Sequence, residues 1–294
     1  MTPDLVRSLS HVAFGVRDLP ANQAAAESLI GLVERERDGD CVYLTHGTSH
    51  HALKLIADEE DRLDHVAFET TGPAALAELR ARIDDAGYEF VDHPLDGLPE
   101  DGFCFLGPEG LVVELHTGAA PLEAPRGTAV SPNRIGHFNV NPVEVEPMHR
   151  LFTEVLGFRV SDEVGDGLGY FLRCNSDHHA VAILPGRGVF HHLAWEVKEF
   201  ANLMRVADLL AERGQRTLWG PLRHGAGHNV AVYFTDPAGS VVEIYTDMDR
   251  IESSEAQTVH WDPEDSRWYS LWTDYRPPGL RELGLPIAVA GARR

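Results

Sequence analysis

The stretch from Arg223 to Tyr245, RHGAGHNVAVYFTDPAGSVVEIY, holds the densest set of chemically useful side chains in the chain. Asp236-Pro237-Ala238-Gly239 suits a type I turn followed by a left-handed glycine, the three-residue hairpin loop with a bulge. Pairing Asp236 with Ser240 across that loop sets Tyr233 directly opposite Glu243, with both side chains on one face. A carboxylate facing inward from the apolar strand VVEIY is costly unless a cation meets it. A metal ion is the natural candidate.

Two histidines open apolar, strand-like runs upstream, His137 in GHFNV and His192 in HHLAWEV. Two imidazoles and one carboxylate leave positions on an ion open for substrate and oxygen, the 2-His-1-carboxylate set of non-haem Fe(II) oxygenases. A lone strand histidine is ordinarily structural. The three residues taken with the Tyr–turn–Glu hairpin are far more specific.

The elements that must position them repeat. SHVAFGV at Ser10, DHVAFET at Asp64, GHFNVNP at Gly136 and HHLAWEV at His191 begin alike. Each precedes a helical pattern that stops at glycine, as in AALAELRARIDDAG ending at Gly87 and FANLMRVADLLAERG ending at Gly214. Alternating extended segments follow, such as DCVYLTHG, FCFLG, YFLRCN and VAVYF. The pattern is a βαβββ unit present four times. A longer repeat overlies it: His11 to His137 is 126 residues, His65 to His192 is 127, and Glu114 to Glu243 is 129. The pair His50-His51 precedes His178-His179 by 128. Two modules of two units each follow, 1–120 and 133–250, joined by the Ala- and Pro-rich AAPLEAPRGTAVSP. The tail, 251–294, carries Trp261, Trp268, Tyr269, Trp272 and Tyr275 without helical or strand periodicity; it is expected to pack over a module or a neighbouring subunit.

A length of 294 residues is too much for one ordinary core and suits two domains. A hydrophobic content of 43% with 24% charged residues matches a soluble globular protein. No apolar run reaches the length of a membrane span, and MTPDLVRSLS lacks the core of a signal peptide, so a cytoplasmic location is expected. Cys41, Cys104 and Cys174 are scattered without CxxC spacing, which points to neither a disulfide framework nor a zinc ribbon. A formal charge of −21 argues against nucleic acid or an anionic membrane as partner.

Paired βαβββ units carrying His, His and Glu resemble the vicinal oxygen chelate superfamily, the glyoxalase/bleomycin-resistance-like fold. The stretch RHG…VYFTDPAGSVVE is similar to the signature of its two-module extradiol catechol dioxygenases. Leu222 departs in a minor way, where the family more often has a small residue or threonine. The resemblance covers nearly the whole chain and implies an α+β fold of four βαβββ units in two modules. It implies Fe(II), or Mn(II) in its place, on His137, His192 and Glu243 of the second module. His192 is the ligand and not His191, because it stands in register with His11, His65 and His137. The family's acid–base histidine falls on His179, its substrate hydrogen-bonding partners on His224 and Tyr233, and a polar contact to bound oxygen on Asn139. The implied activity is ring cleavage of a catechol with O2 in aromatic catabolism, by a chain that forms a homo-oligomer.

The chemistry suits those residues. A divalent cation acidifies a phenol that binds it, and a nearby tyrosine or neutral histidine can take the released proton. A histidine that holds a proton and later returns it fits His179. Other readings are a hydroquinone-cleaving or 4-hydroxyphenylpyruvate dioxygenase-like enzyme, a glyoxalase-like isomerase, which wants a second carboxylate, and a non-enzymatic binding protein, which needs no triad.

Plainer readings apply to several residues. His178-His179 alone would be an exposed turn pair, His228 a loop residue, and His149 and His191 residues of solvated or partner-facing surfaces. In the first module His11, His65 and Glu114 retain all three ligand positions, but Cys104 stands where Tyr233 does and PLDGLPEDGFCF offers no counterpart of His224. A structural first module is favoured over a second metal site, with a site mixed between modules left open. No arginine can be placed for recognising a carboxylate, and Trp219 with the aromatic tail suggests a hydrophobic or bulky substrate.

Overall fold

The computed structural model describes residues 4–92, 101–126, 130, 132–253 and 255–287. The loop PLDGLPE, part of the linker and the last residues of the tail lie outside them. The first unit runs β1 (Val6–Val16), α1 (Leu19–Ala25), β2 (Val33–Asp38), β3 (Cys41–Thr45) and β4 (Leu53–Ala57). The second is β5 (Arg62–Thr70), α2 (Pro73–Asp85), β6 (Glu89–Val91), β7 (Gly102–Leu106) and β8 (Val112–His116). The third is β9 (Arg134–Asn141), α3 (Val145–Arg150), β10 (Arg159–Val164), β11 (Gly169–Arg173) and β12 (Val181–Ile183). The fourth is β13 (Val189–Glu196), α4 (Phe200–Glu212), β14 (Trp219–Arg223), β15 (Val230–Thr235) and β16 (Val241–Thr246). The βαβββ unit is therefore present four times, and the helical stretches run into Gly31, Gly87, Gly157 and Gly214 at positive φ. In the third unit, as in the first, the α-helix ends in a π-helical turn before its glycine.

Each module is one mixed sheet. The first has the order β2-β3-β4-β1-β5-β8-β7-β6, the second β14-β15-β16-β13-β9-β12-β11-β10. At the centre of each, the opening strands of the two units pair antiparallel, β1 with β5 and β9 with β13. The closing strand of each unit lies parallel to its opening strand. This arrangement brings the repeated histidines and glutamates onto three adjacent central strands of each sheet.

One hydrophobic core runs through both modules. Phe14 meets Phe190 at 5.4 Å between ring centres, and Phe68 meets Phe138 at 6.0 Å, so side chains of the two sheets interlock directly. Each such ring contributes roughly 1.5–3 kcal/mol by its burial. On α4, Leu203, Val206 and Leu210 form the buried stripe expected of a 3.6-residue repeat.

The tail folds back on the second module. Two short strands fasten it: β17 (Val259–Trp261) lies parallel to β10 and β18 (Leu285–Pro286) antiparallel to β13. Ile287 bridges Leu63 of the first module. No helix among the described residues is long and apolar enough to cross a membrane.

Candidate active site

The hairpin between β15 and β16 has the geometry its sequence specifies. Gly239 adopts φ 86°, the Asp236 N–H donates to the Ser240 carbonyl at 3.0 Å, and the Ser240 N–H donates to the Asp236 side chain at 2.8 Å. Tyr233 consequently pairs with Glu243 across the two strands. Ala194 of β13 pairs with Glu243 on one side and His137 on the other, which brings β16, β13 and β9 into register.

His137, His192 and Glu243 converge in one buried cluster. Both Nε2 atoms lie 3.1 Å from Glu243 Oε2, and the two imidazole rings stand 5.6 Å apart, edge to face. Asn229 donates to the other carboxylate oxygen at 2.9 Å. Burial alone would raise the Glu243 pKa, but His137 and His192 hold it well below the ordinary carboxylate range.

Whether these residues fit a metal is decided by the proton on His192. His191 Nε2 lies 2.7 Å from the Leu280 carbonyl and must donate to it. His191 Nδ1 is then an acceptor, and it takes the Nδ1 proton of His192 at 2.7 Å. The Nε2 of His192 is left with a lone pair aimed at a carboxylate oxygen, with no hydrogen-bond partner among the described residues. Two acceptors facing one another in a buried site require a cation between them. The donor set fits a divalent transition metal.

Two chains of proton-bearing groups face the same cavity. His224 donates from Nδ1 to the Tyr269 carbonyl at 2.7 Å, so its Nε2 accepts the Tyr233 hydroxyl at 2.8 Å. Burial, and then Glu243, push the Tyr233 phenol well above its usual pKa, while burial lowers that of His224. In the second chain, His178 donates from Nε2 to Asp162 at 2.9 Å, which leaves its Nδ1 to accept from His179 Nδ1 at 3.0 Å. The Nε2 of His179 is thereby a free base, its ring 4.3 Å from that of His137. Burial, then His137, keeps His179 neutral. The Trp261 indole holds Asp162 from behind at 2.6 Å.

Residues 134–244 match the family described as the glyoxalase/bleomycin resistance protein/dioxygenase superfamily. A Mn(II)-bound glyoxalase from Novosphingobium aromaticivorans is 30% identical and superposes with a TM-score of 0.88 over 98% of this chain and 97% of its own. This chain belongs to that superfamily. A metapyrocatechase from Pseudomonas sp. (strain CF600) is 29% identical over 80% of this chain and 84% of its own. An iron-dependent extradiol dioxygenase from Rhodococcus jostii (strain RHA1) is 27% identical over 91% and 96%.

For a superfamily member the site holds several features its sequence did not disclose. His178 and His191, read as a turn residue and a surface residue, are both buried and fix the proton positions of His179 and His192. His149 is half-buried, its ring stacked on Tyr170 at 3.9 Å. His228 does stand in a loop, at positive φ and hydrogen-bonded to Asp249 at 2.6 Å. Asn139 lines the cavity, and its amide nitrogen donates to the Ala182 carbonyl at 2.9 Å. The tail supplies one wall: Trp268, Tyr269, Arg276, Leu280 and Arg281 all line the cavity. Gly225 makes that docking possible. Its N–H and that of Ala226 donate to the Trp268 carbonyl, and a Cβ there would collide with the Arg267 carbonyl oxygen.

Proposed function

We propose that the second module is the working site of an Fe(II)-dependent extradiol dioxygenase, with Mn(II) a competent substitute, which opens the ring of a catechol-type substrate with O2 beside its diol. One observation carries this reading: a buried His–His–Glu cluster that needs a cation opens onto a cavity that is also lined by a phenol–imidazole pair and by a backed, neutral histidine. His137, His192 and Glu243 hold the ion, which when bound supplies Lewis acidity toward two adjacent hydroxyls and a path for electrons between ring and oxygen.

The protein's own groups manage the protons. Tyr233 takes the proton of a substrate hydroxyl on its oxygen while its own proton passes to His224 Nε2. The Tyr269 carbonyl then stabilises the resulting imidazolium through its Nδ1–H. A phenol with so high a pKa stays neutral between events and works as a relay and hydrogen-bond donor. His179, with an available Nε2 and the His178–Asp162 chain behind it, accepts a proton during oxygen attack and returns it as the ring opens. Phe171, Ala182, Leu184, Trp219 and Trp268 keep the cavity largely apolar, so these hydrogen bonds face little competition from water.

The arginines of the tail favour an anionic ring substituent. Arg276 and Arg281 lie over Tyr269 and Trp268, and neither has a carboxylate partner among the described residues. Arg281 Nε is buried without a hydrogen bond. Burial, then the charge of Arg276, lowers the Arg281 pKa, and a substrate carboxylate would relieve both. This adds a charged recognition element to the hydrophobic or bulky substrate that Trp219 and the aromatic tail suggest. A glyoxalase-like isomerase is disfavoured because the triad offers one carboxylate, with histidines at the other two positions. A homo-oligomeric, cytoplasmic enzyme completes the proposal, its assembly open to test by light scattering.

The deciding experiment is oxygen uptake by anaerobically purified, iron-loaded protein, with catechol and with a catechol bearing a carboxylate side chain. Uptake coupled to a coloured ring-fission product is expected with both, with a lower KM for the acid. Arg281→Met should raise KM for the acid alone. Uptake with neither substrate would overturn the reading, and equal KM values would remove the arginines from recognition.

A further inference from the structure

The first module has a cluster of its own. His11 of β1, His65 of β5 and Glu114 of β8 are buried together, beside a cavity separate from the one already described. Their donor atoms form a triangle with edges of 3.2 Å between the two Nε2 atoms and 3.9 and 3.8 Å from these to Glu114 Oε2. A single point lies about 2.1 Å from all three, the distance at which nitrogen and oxygen ligands hold a first-row divalent ion.

The orientation of the ligands agrees. His65 donates from Nδ1 to Asp64 at 2.9 Å, which turns its Nε2 lone pair toward His11 and Glu114, the carboxylate–histidine arrangement that supports metal ligands. The backing histidines recur as well. The His51 ring lies 4.1 Å from that of His11, His51 Nδ1 meets His50 Nδ1 at 3.0 Å, and His50 Nε2 meets Glu36 at 2.9 Å. His11 and Glu114 line a cavity with polar walls, including Ser10 and Thr48, that gives an ion a way in.

We propose that the first module binds a divalent transition metal ion on His11, His65 and Glu114, so that each chain carries two. The competing source of positive charge is the Lys54 ammonium, which lies over Tyr43 and acts on both His11 and His51.

The test uses the full chain, stripped of metal and titrated anaerobically with Mn(II), with bound ion counted by electron paramagnetic resonance and elemental analysis. Wild type should saturate at two ions per chain. Glu243→Gln and Glu114→Gln should each retain one, and the double variant none, with circular dichroism reporting the fold of each. Saturation of wild type at one ion, with none held by Glu243→Gln, would overturn the proposal and leave Lys54 as the partner of the first cluster. If Glu114→Gln does not fold, the wild-type count and the Glu243→Gln count still decide.

Discussion

The two modules present the same three ligand types from the same three strands, yet only one is surrounded by what a catalyst needs. In the first, Cys104 faces Glu114; in the second, Tyr233 faces Glu243 and leans on His224. The first cavity is bordered by Gly118 to Pro121 and polar side chains, the second by an aromatic tail. Both keep a histidine backed by a second histidine and a carboxylate. The difference therefore separates two tasks. Central strands suffice to gather ligands and orient a base, whereas in the proposed reaction binding and deprotonating a substrate would depend on a hairpin residue and a segment from outside the repeat.

The comparison breaks most readily at the carboxylates. Glu243→Ala should abolish ring cleavage, measured as oxygen uptake, because an ion held only by two imidazoles loses its charge balance. Retained activity would move the working site to the first module. Next in size is His179→Asn, expected to slow turnover by about 10²–10⁴-fold while metal content stays unchanged. Turnover unchanged across the pH range would remove His179 from the mechanism. Tyr233→Phe should cost about 1–3 kcal/mol in kcat/KM, the usual consequence of leaving a buried polar partner unsatisfied. Gly225→Ala should destabilise the protein by a similar amount, about 1–3 kcal/mol, by forcing the tail away from the loop; thermal melting reads it. The smallest effect belongs to Cys104→Ala, which should lower stability by about 1 kcal/mol and leave steady-state kinetics as in wild type. A kinetic defect there, with Tyr233→Phe silent, would reverse the roles of the modules.

The hairpin, the fourfold unit and the clustering of both triads were legible because each depends on short-range rules. Turn chemistry fixes the loop of Asp236 to Gly239, period-two alternation fixes which face Glu243 occupies, and repeat spacing carries one module onto the other. The roles of His178 and His191 were not legible. His191 was read as the outward-facing neighbour of His192 on a strand, and His178 as part of an exposed turn, so both were assigned to an open face of the molecule. The structure covers that face, with the Leu280 carbonyl for His191 and with Asp162 and Trp261 for His178. The position of Arg276 and Arg281 was hidden for the same reason, since it depends on the path of an aperiodic tail.

That tail fixes the proton positions of His191 and His224 through the peptide oxygens of Leu280 and Tyr269. A main-chain oxygen is present whatever amino acid occupies the position. Point substitutions in this segment can therefore accumulate without altering which nitrogen of either imidazole is protonated, provided the chain keeps its course. Insertions and deletions cannot, because a shift of one residue carries each oxygen out of reach. Descendants of this gene should vary freely in the spelling of the tail and hardly at all in its length between Trp268 and Leu280.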